Sequence, residues 1–180
     1  MSSQPDSLHV YLSADRIKVS VSDLAKRISE HYRAVLKDNE DLWVVVTLKG
    51  AMFFAADLVR EITVPVKVDF VRLASYGSGT KSSGTVRILK DVETSPQGNH
   101  VLILDEIVDS GRTLNFLKDR LQSQSPKSLK ICALLDKPTG REMEVHIDFV
   151  GIEVEDKFLV GYGLDYNERY RNLPEVFYIK

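Results

Sequence analysis

The residues able to do chemistry gather where Val101-Leu102-Ile103-Leu104-Asp105-Glu106 runs into Ile107-Val108-Asp109-Ser110-Gly111-Arg112-Thr113. Four apolar residues between polar flanks read as a strand buried on both faces of a parallel sheet, with the two carboxylates closing it. Ligands of such sheets bind beyond the carboxyl ends of the strands, so acids placed there are positioned to meet a ligand. The next residues precede an apolar periodic run, Leu114, Leu117 and Leu121, and therefore stand where a helix begins and its first amides lack internal partners. Asp109, Ser110, Gly111, Arg112 and Thr113 together supply a sharp turn, two hydroxyls and free amides at a helix's positive end, which can hold a monophosphate. The plainer alternative is a strand-turn-helix in which Asp109 or Ser110 only caps the helix.

Other polar groups follow apolar runs in the same way. Lys49-Gly50 closes the run Leu42–Leu48 and opens another helical stretch, so Gly50 permits close approach of a ligand to backbone amides beside a positive charge. Asp136-Lys137-Pro138 closes the apolar run 129–135. Residues 74–84 hold three glycines and four serines in eleven positions, too little apolar surface to bury a core, and carry one aromatic, Tyr76, next to Ser75. Near the C-terminus, Phe158 and Tyr162 stand in a stretch rich in glycine and polar residues, where an aromatic ring offers a platform for a flat base.

The stretch from Val101 to Thr113 resembles the phosphoribosyl pyrophosphate motif of the type I phosphoribosyltransferases, and more narrowly that of the hypoxanthine-guanine phosphoribosyltransferases. Four separated motifs between Leu48 and Pro174 match that family in order and spacing. The family usually writes the acidic pair as Glu then Asp, whereas this chain has Asp105 then Glu106. The resemblance implies transfer of a 5-phosphoribosyl group from phosphoribosyl pyrophosphate to N9 of hypoxanthine or guanine, with Mg2+ as cofactor. It implies that Asp109, Ser110, Gly111, Arg112 and Thr113 hold the 5'-phosphate, with Asp109 also managing a proton on the purine. Asp105 and Glu106 would hold the ribose hydroxyls and, with Asp165, a hydrated metal. Lys49, Gly50, Ser75, Tyr76 and Arg171 would bind pyrophosphate, with a cis peptide before Lys49 and with the stretch from Ser75 to Gly84 as a closing lid. Lys137 would donate to the 6-oxo group, and Phe158 and Leu159 would complete the purine pocket.

These groups need a scaffold that brings several strand ends together. Ile17, Val21, Leu24, Ile28, Tyr32 and Val35 recur at helical spacing and predict a helix over residues 13–37. Strands are predicted over Leu8–Leu12, Leu42–Leu48, 64–73, 85–90, 101–104, 129–135 and 146–152, with helices over 51–62 and from the phosphate turn to about 124. Alternation of apolar strands with helical runs calls for an α/β fold, a mainly parallel sheet with helices on both faces. A single domain over 1–180 is expected, with a small hood from about 1–12 and 153–180.

A chain of 180 residues with 24 basic and 26 acidic side chains, net −2, has no global electrostatic reason to bind nucleic acid or an anionic membrane. Its phosphate site must be local. The lone Cys132 lies in an apolar run and cannot form an intrachain disulfide, no N-terminal leader pattern appears, and no apolar run spans a bilayer, so a cytoplasmic protein is expected. A homo-oligomer, dimer or tetramer, is the default for such an enzyme. Rival assignments are a xanthine-preferring or adenine phosphoribosyltransferase and a non-catalytic regulator that senses the same donor. Lys137 disfavours adenine, which presents an amino group where an oxopurine presents an acceptor.

Overall fold

The computed structural model describes residues 7–75 and 86–179. Along these the chain forms β1 (Leu8–Leu12), α1 (Ala14–Val35), β2 (Leu42–Leu48), α2 (Ala51–Glu61), β3 (Val66–Ser75), β4 (Val86–Lys90), β5 (His100–Val108), α3 (Arg112–Gln122), β6 (Ser128–Asp136), β7 (Phe149–Glu153), β8 (Leu159–Val160) and β9 (Val176–Ile179). The main sheet runs β4-β3-β2-β5-β6-β7 and is parallel except for β4, which returns antiparallel on β3.

Side-chain parity explains why the inner strands are apolar throughout. Successive residues of a strand point to opposite faces, so Val44, Val46, Leu102, Leu104, Cys132 and Leu134 pack with α1 and α2. Trp43, Val45, Val101, Ile103, Ile131 and Ala133 pack on the other face with Leu114, Leu117 and Leu121 of α3. Each fully buried Leu or Ile contributes roughly 1.5–3 kcal/mol, so both faces need a cover, and the helices supply it. Burial also raises the Cys132 thiol pKa well above its ordinary value, which keeps it protonated within the packed layer.

Several boundaries differ from expectation, among them β3, expected over 64–73 and found at Val66–Ser75, and three have a local cause. The central strand does not stop at the acids, because β5 pairs with β6 through Asp105↔Ala133, Ile107↔Leu135 and Val108↔Asp136. The acids therefore lie on a rigid strand rather than in a loop. The strand expected over 146–152 begins only at Phe149, because the Asp148 side chain accepts from Ile131 N at 2.9 Å and Lys130 Nζ at 2.7 Å in place of a regular ladder. Helix α3 ends at Gln122, and Ser125 at φ +57° turns the chain away.

The N- and C-terminal segments form a second, three-stranded antiparallel sheet in the order β1-β9-β8. Its pairing Val160↔Phe177 anchors the glycine-rich segment that carries residues 161–175. No helix among the described residues is long and apolar enough to cross a membrane.

Candidate active site

The carboxyl end of β5 delivers the acids and then the turn Asp109–Thr113. Gly111 has φ +79°, the left-handed region that favours glycine, and a Cβ there would overlap the Met143 carbonyl oxygen. It is also the N-cap position of α3 and offers no side-chain cap. Ser110 Oγ accepts from Arg112 N at 3.4 Å, so the plainer alternative survives as one long contact at the helix start. The helix start keeps amides available to an anion.

The turn is held from behind by residues that sequence reasoning missed. Arg141 Nε donates to the Asp109 carbonyl at 3.0 Å and Nη2 to the Val108 carbonyl at 3.4 Å, while its guanidinium also pairs with Asp136. Glu142 N and Met143 N both donate to the Ser110 carbonyl at 3.0 Å. With these carbonyls drawn backwards, the face of the turn opposite Arg141 is left to its amides and hydroxyls. Gly140 packs so closely on Asp109 that a Cβ would overlap its Oδ1. The Pro-Thr-Gly string after Lys137 marks a turn, but nothing in it names Asp109 as the neighbour.

Lys137, at the end of β6, lies 3.4 Å from Asp109 Oδ2 and 2.7 Å from Asp156 Oδ1. Its side chain is only 11% exposed, against 55% for Asp109. Burial pulls the lysine pKa down, but the hydrogen bond with Asp156 and the charge of Asp109 outweigh it and hold the pKa above the ordinary value. A charged donor and an accessible carboxylate therefore stand side by side. Phe158, 54% exposed, is met edge-on by Tyr166 at 5.7 Å and 90° between ring planes. Tyr162 points elsewhere, its hydroxyl donating to Asp57 at 2.6 Å. Leu159 lies in β8 with its side chain buried in the core.

Asp105 and Glu106 are half-buried along the cleft that the end of β5 forms. Thr47 Oγ1, which the sequence did not single out, reaches Asp105 Oδ1 at 2.6 Å and the Leu104 carbonyl at 3.0 Å with its one proton. Burial raises the pKa of both carboxyls, and Glu106 also faces the Asp105 charge, which raises it further. The Glu106 carboxyl fills the space where Gly50 would carry a Cβ. Gly163, at φ +100°, brings its backbone against Gly50 from the other side. Only two glycines allow so close a meeting of the β2 turn and the C-terminal segment.

That meeting continues outward into a charged cluster. Lys49 follows a cis Leu48-Lys49 peptide, as the resemblance implies, and pairs with Glu168 at 2.7 Å. Arg171 donates to the Gly163 carbonyl at 2.8 Å and pairs with Asp165 at 2.8 Å. Ser75 ends β3 opposite Val86, whereas Tyr76 and the expected lid through Gly84 lie outside the described residues.

A cleft of about 250 Å³ joins the acids to the turn after β5, lined by Thr47, Asp105, Glu106, Asp109, Ser110 and Thr113 among others. A larger cleft of about 400 Å³ lies between α1, α2 and Tyr162. There Asp57 is already engaged by Arg60 and by the Tyr162 hydroxyl. Convergent polar groups and perturbed carboxyls belong to the smaller cleft, which therefore defines the site.

A mainly parallel sheet with half-buried acids and a helix-start turn at its strand ends defines an α/β protein whose cleft suits an anionic ligand. Residues 11–167 match the phosphoribosyl transferase domain. The chain is 45% identical over 172 residues to the hypoxanthine-guanine phosphoribosyltransferase of Mycobacterium avium, covering 95% of this chain and 85% of that protein. It is 43% identical over 170 residues to the hypoxanthine phosphoribosyltransferase of Salmonella typhimurium, covering 94% of each. A solved hypoxanthine phosphoribosyl transferase of Trypanosoma cruzi superposes with a TM-score of 0.91 at 36% identity, covering 99% of this chain and 95% of that one. The chain belongs to the phosphoribosyltransferase family, among the hypoxanthine-guanine phosphoribosyltransferases.

Proposed function

We propose that this protein transfers the 5-phosphoribosyl group of phosphoribosyl pyrophosphate to N9 of hypoxanthine or guanine, giving IMP or GMP and pyrophosphate in purine salvage. The observation that carries this assignment is the pairing of Lys137 with Asp109, 3.4 Å apart, directly beside the phosphate turn. The turn Asp109–Thr113 binds the 5'-phosphate, and Asp105 and Glu106 face the ribose. Lys137 donates to the 6-oxo group while Phe158 stacks on the ring and the Leu159 segment closes the pocket. As the C1–N9 bond forms and the C1–oxygen bond to pyrophosphate breaks, Asp109 takes the proton leaving the purine. Lys49, Gly50, Ser75, Tyr76 and Arg171 bind the pyrophosphate.

No group of three or more His, Cys, Asp or Glu side chains among the described residues is arranged to hold a metal. That suits Mg2+, which keeps several waters and is bound through one or two carboxylates plus substrate phosphates. Asp105 and Glu106 at the ribose, and Asp165 separately beside the pyrophosphate cations, would supply such carboxylates without forming one three-ligand cluster, and a bound ion would neutralise charge on the leaving group. Each remaining role belongs to the chain itself. The working unit is a homo-oligomer, which sedimentation will show as a species larger than 20.3 kDa.

Steady-state rates with hypoxanthine, guanine, xanthine and adenine test the assignment, with Lys137→Ala as the decisive variant. Loss of a charged donor to the purine oxygen should cost about 1.5–3 kcal/mol in kcat/KM for both 6-oxopurines. The KM for phosphoribosyl pyrophosphate should stay nearly unchanged. Equal damage to donor and base would remove Lys137 from the purine pocket.

A further inference from the structure

Glu168 stands between the two cations assigned to pyrophosphate. Its Oε2 lies 2.7 Å from Lys49 Nζ and 3.5 Å from Arg171 Nη2. One carboxylate oxygen thus bridges an ammonium on the turn after β2 and a guanidinium from the C-terminal segment. A phosphate oxygen bound by the same two groups would need that position, since both cations prefer a shared, charge-assisted acceptor.

The side chain has no evident structural duty that would explain it. The tight turn carrying it is closed by backbone bonds between Tyr166 and Arg169, at 3.2 and 3.0 Å, and Asp165 Oδ2 accepts from Glu168 N at 2.9 Å. Asn167 and Glu168 adopt φ of +51° and +63°, so the turn holds a non-glycine residue in the left-handed region with its carboxylate turned onto the cations. The pair is open to solvent, with side-chain exposures of 44% for Lys49 and 64% for Glu168. Such exposed ion pairs are weak and easily exchanged.

We propose that Glu168 is a built-in counter-anion of the pyrophosphate subsite, which the diphosphate group must displace, and that it thereby lowers the site's affinity for pyrophosphate. The inference rests on the assignment of Lys49 and Arg171 to pyrophosphate. Glu168 keeps the two cations neutralised when the subsite is empty. A multiply charged diphosphate wins the exchange, but against a competitor, and the product then leaves more readily.

The test measures pyrophosphate as a product inhibitor and as a titrant of the full-length enzyme, at fixed magnesium, in Glu168→Gln and Glu168→Ala. Removing the competing charge should tighten pyrophosphate binding by about twofold to fivefold in both variants. The KM for phosphoribosyl pyrophosphate should fall with it, and IMP affinity should not move, because its phosphate sits at Asp109–Thr113. Unchanged or weaker pyrophosphate binding in both variants would overturn the inference, since a residue that only steadies Lys49 gives that result. Lys49→Ala separates the two levels. If it weakens pyrophosphate while the Glu168 variants fail to tighten it, the counter-anion role alone is lost. If it leaves pyrophosphate binding intact, the subsite assignment falls and the inference with it.

Discussion

Asp109→Asn should lower the turnover number by about 10² or more while the donor still binds, the scale typical of lost general acid-base work. Asparagine keeps the size of the side chain and most of its hydrogen bonding. It cannot take a proton. The neighbourhood makes the comparison clean, because the backbone at Asp109 is fixed by Arg141 through the carbonyl, at 3.0 Å, and not through the carboxylate. Lys137 retains Asp156 as a partner at 2.7 Å when the Asp109 charge is removed. The substitution should therefore change proton transfer and little else. Pre-steady-state and steady-state rates with hypoxanthine, together with donor titration, provide the check. A variant that keeps most of its turnover would make Asp109 a structural member of the turn and would move the base elsewhere.

The parts of the site that lie on one chain segment were legible in the sequence. Leu42–Leu48 is a strand at those bounds because seven residues of mostly branched apolar type have no other place than between two helical layers. The run from Asp109 to Thr113 marked a helix start from local rules alone, and α3 does begin at Arg112. Lys137, Asp109 and Phe158 were named singly, but their distances depend on how β5, β6 and β8 are laid side by side. Pattern does not carry that information.

What stayed hidden was contact between segments far apart in the chain. Gly50 was read as a turn glycine open to a ligand, yet its missing side chain also makes room for Glu106 and for the Gly163 backbone. Arg141 was not singled out at all, and it holds two carbonyls of the segment that leads into α3. Thr47 was one more β-branched strand residue until Asp105 came to lie beside it, 2.6 Å from its hydroxyl. The extent of β5 was underestimated for a related reason. Two acids look like a strand end because burying charge is costly, but here their pKa values shift upward and the ladder to β6 continues past them.

Gly111→Ala should be far more damaging than Gly98→Ala, although both glycines have nearly the same backbone, φ +79° and +71°. A left-handed conformation costs an alanine roughly 1–2 kcal/mol, partly offset by about 0.4–1 kcal/mol from restricting the unfolded chain. At Gly98 nothing lies within 4 Å of the added carbon, so that backbone term is the whole effect. At Gly111 the same carbon would overlap the Met143 carbonyl oxygen and stand 3.0 Å from Arg141 Cδ. Neither neighbour can easily yield, because Met143 N is bonded to the Ser110 carbonyl and Arg141 to the Asp109 carbonyl, each at 3.0 Å. Overpacking against such a fixed segment adds about 1–3 kcal/mol. It should also displace the phosphate turn itself. Urea unfolding of the two variants, read as a difference, isolates the steric part from the backbone part, and the KM for phosphoribosyl pyrophosphate should rise for Gly111→Ala alone. Equal destabilisation in the two, with donor binding intact, would mean that the segment from Gly140 to Val145 is free to move away, and that it does not hold the phosphate turn in shape.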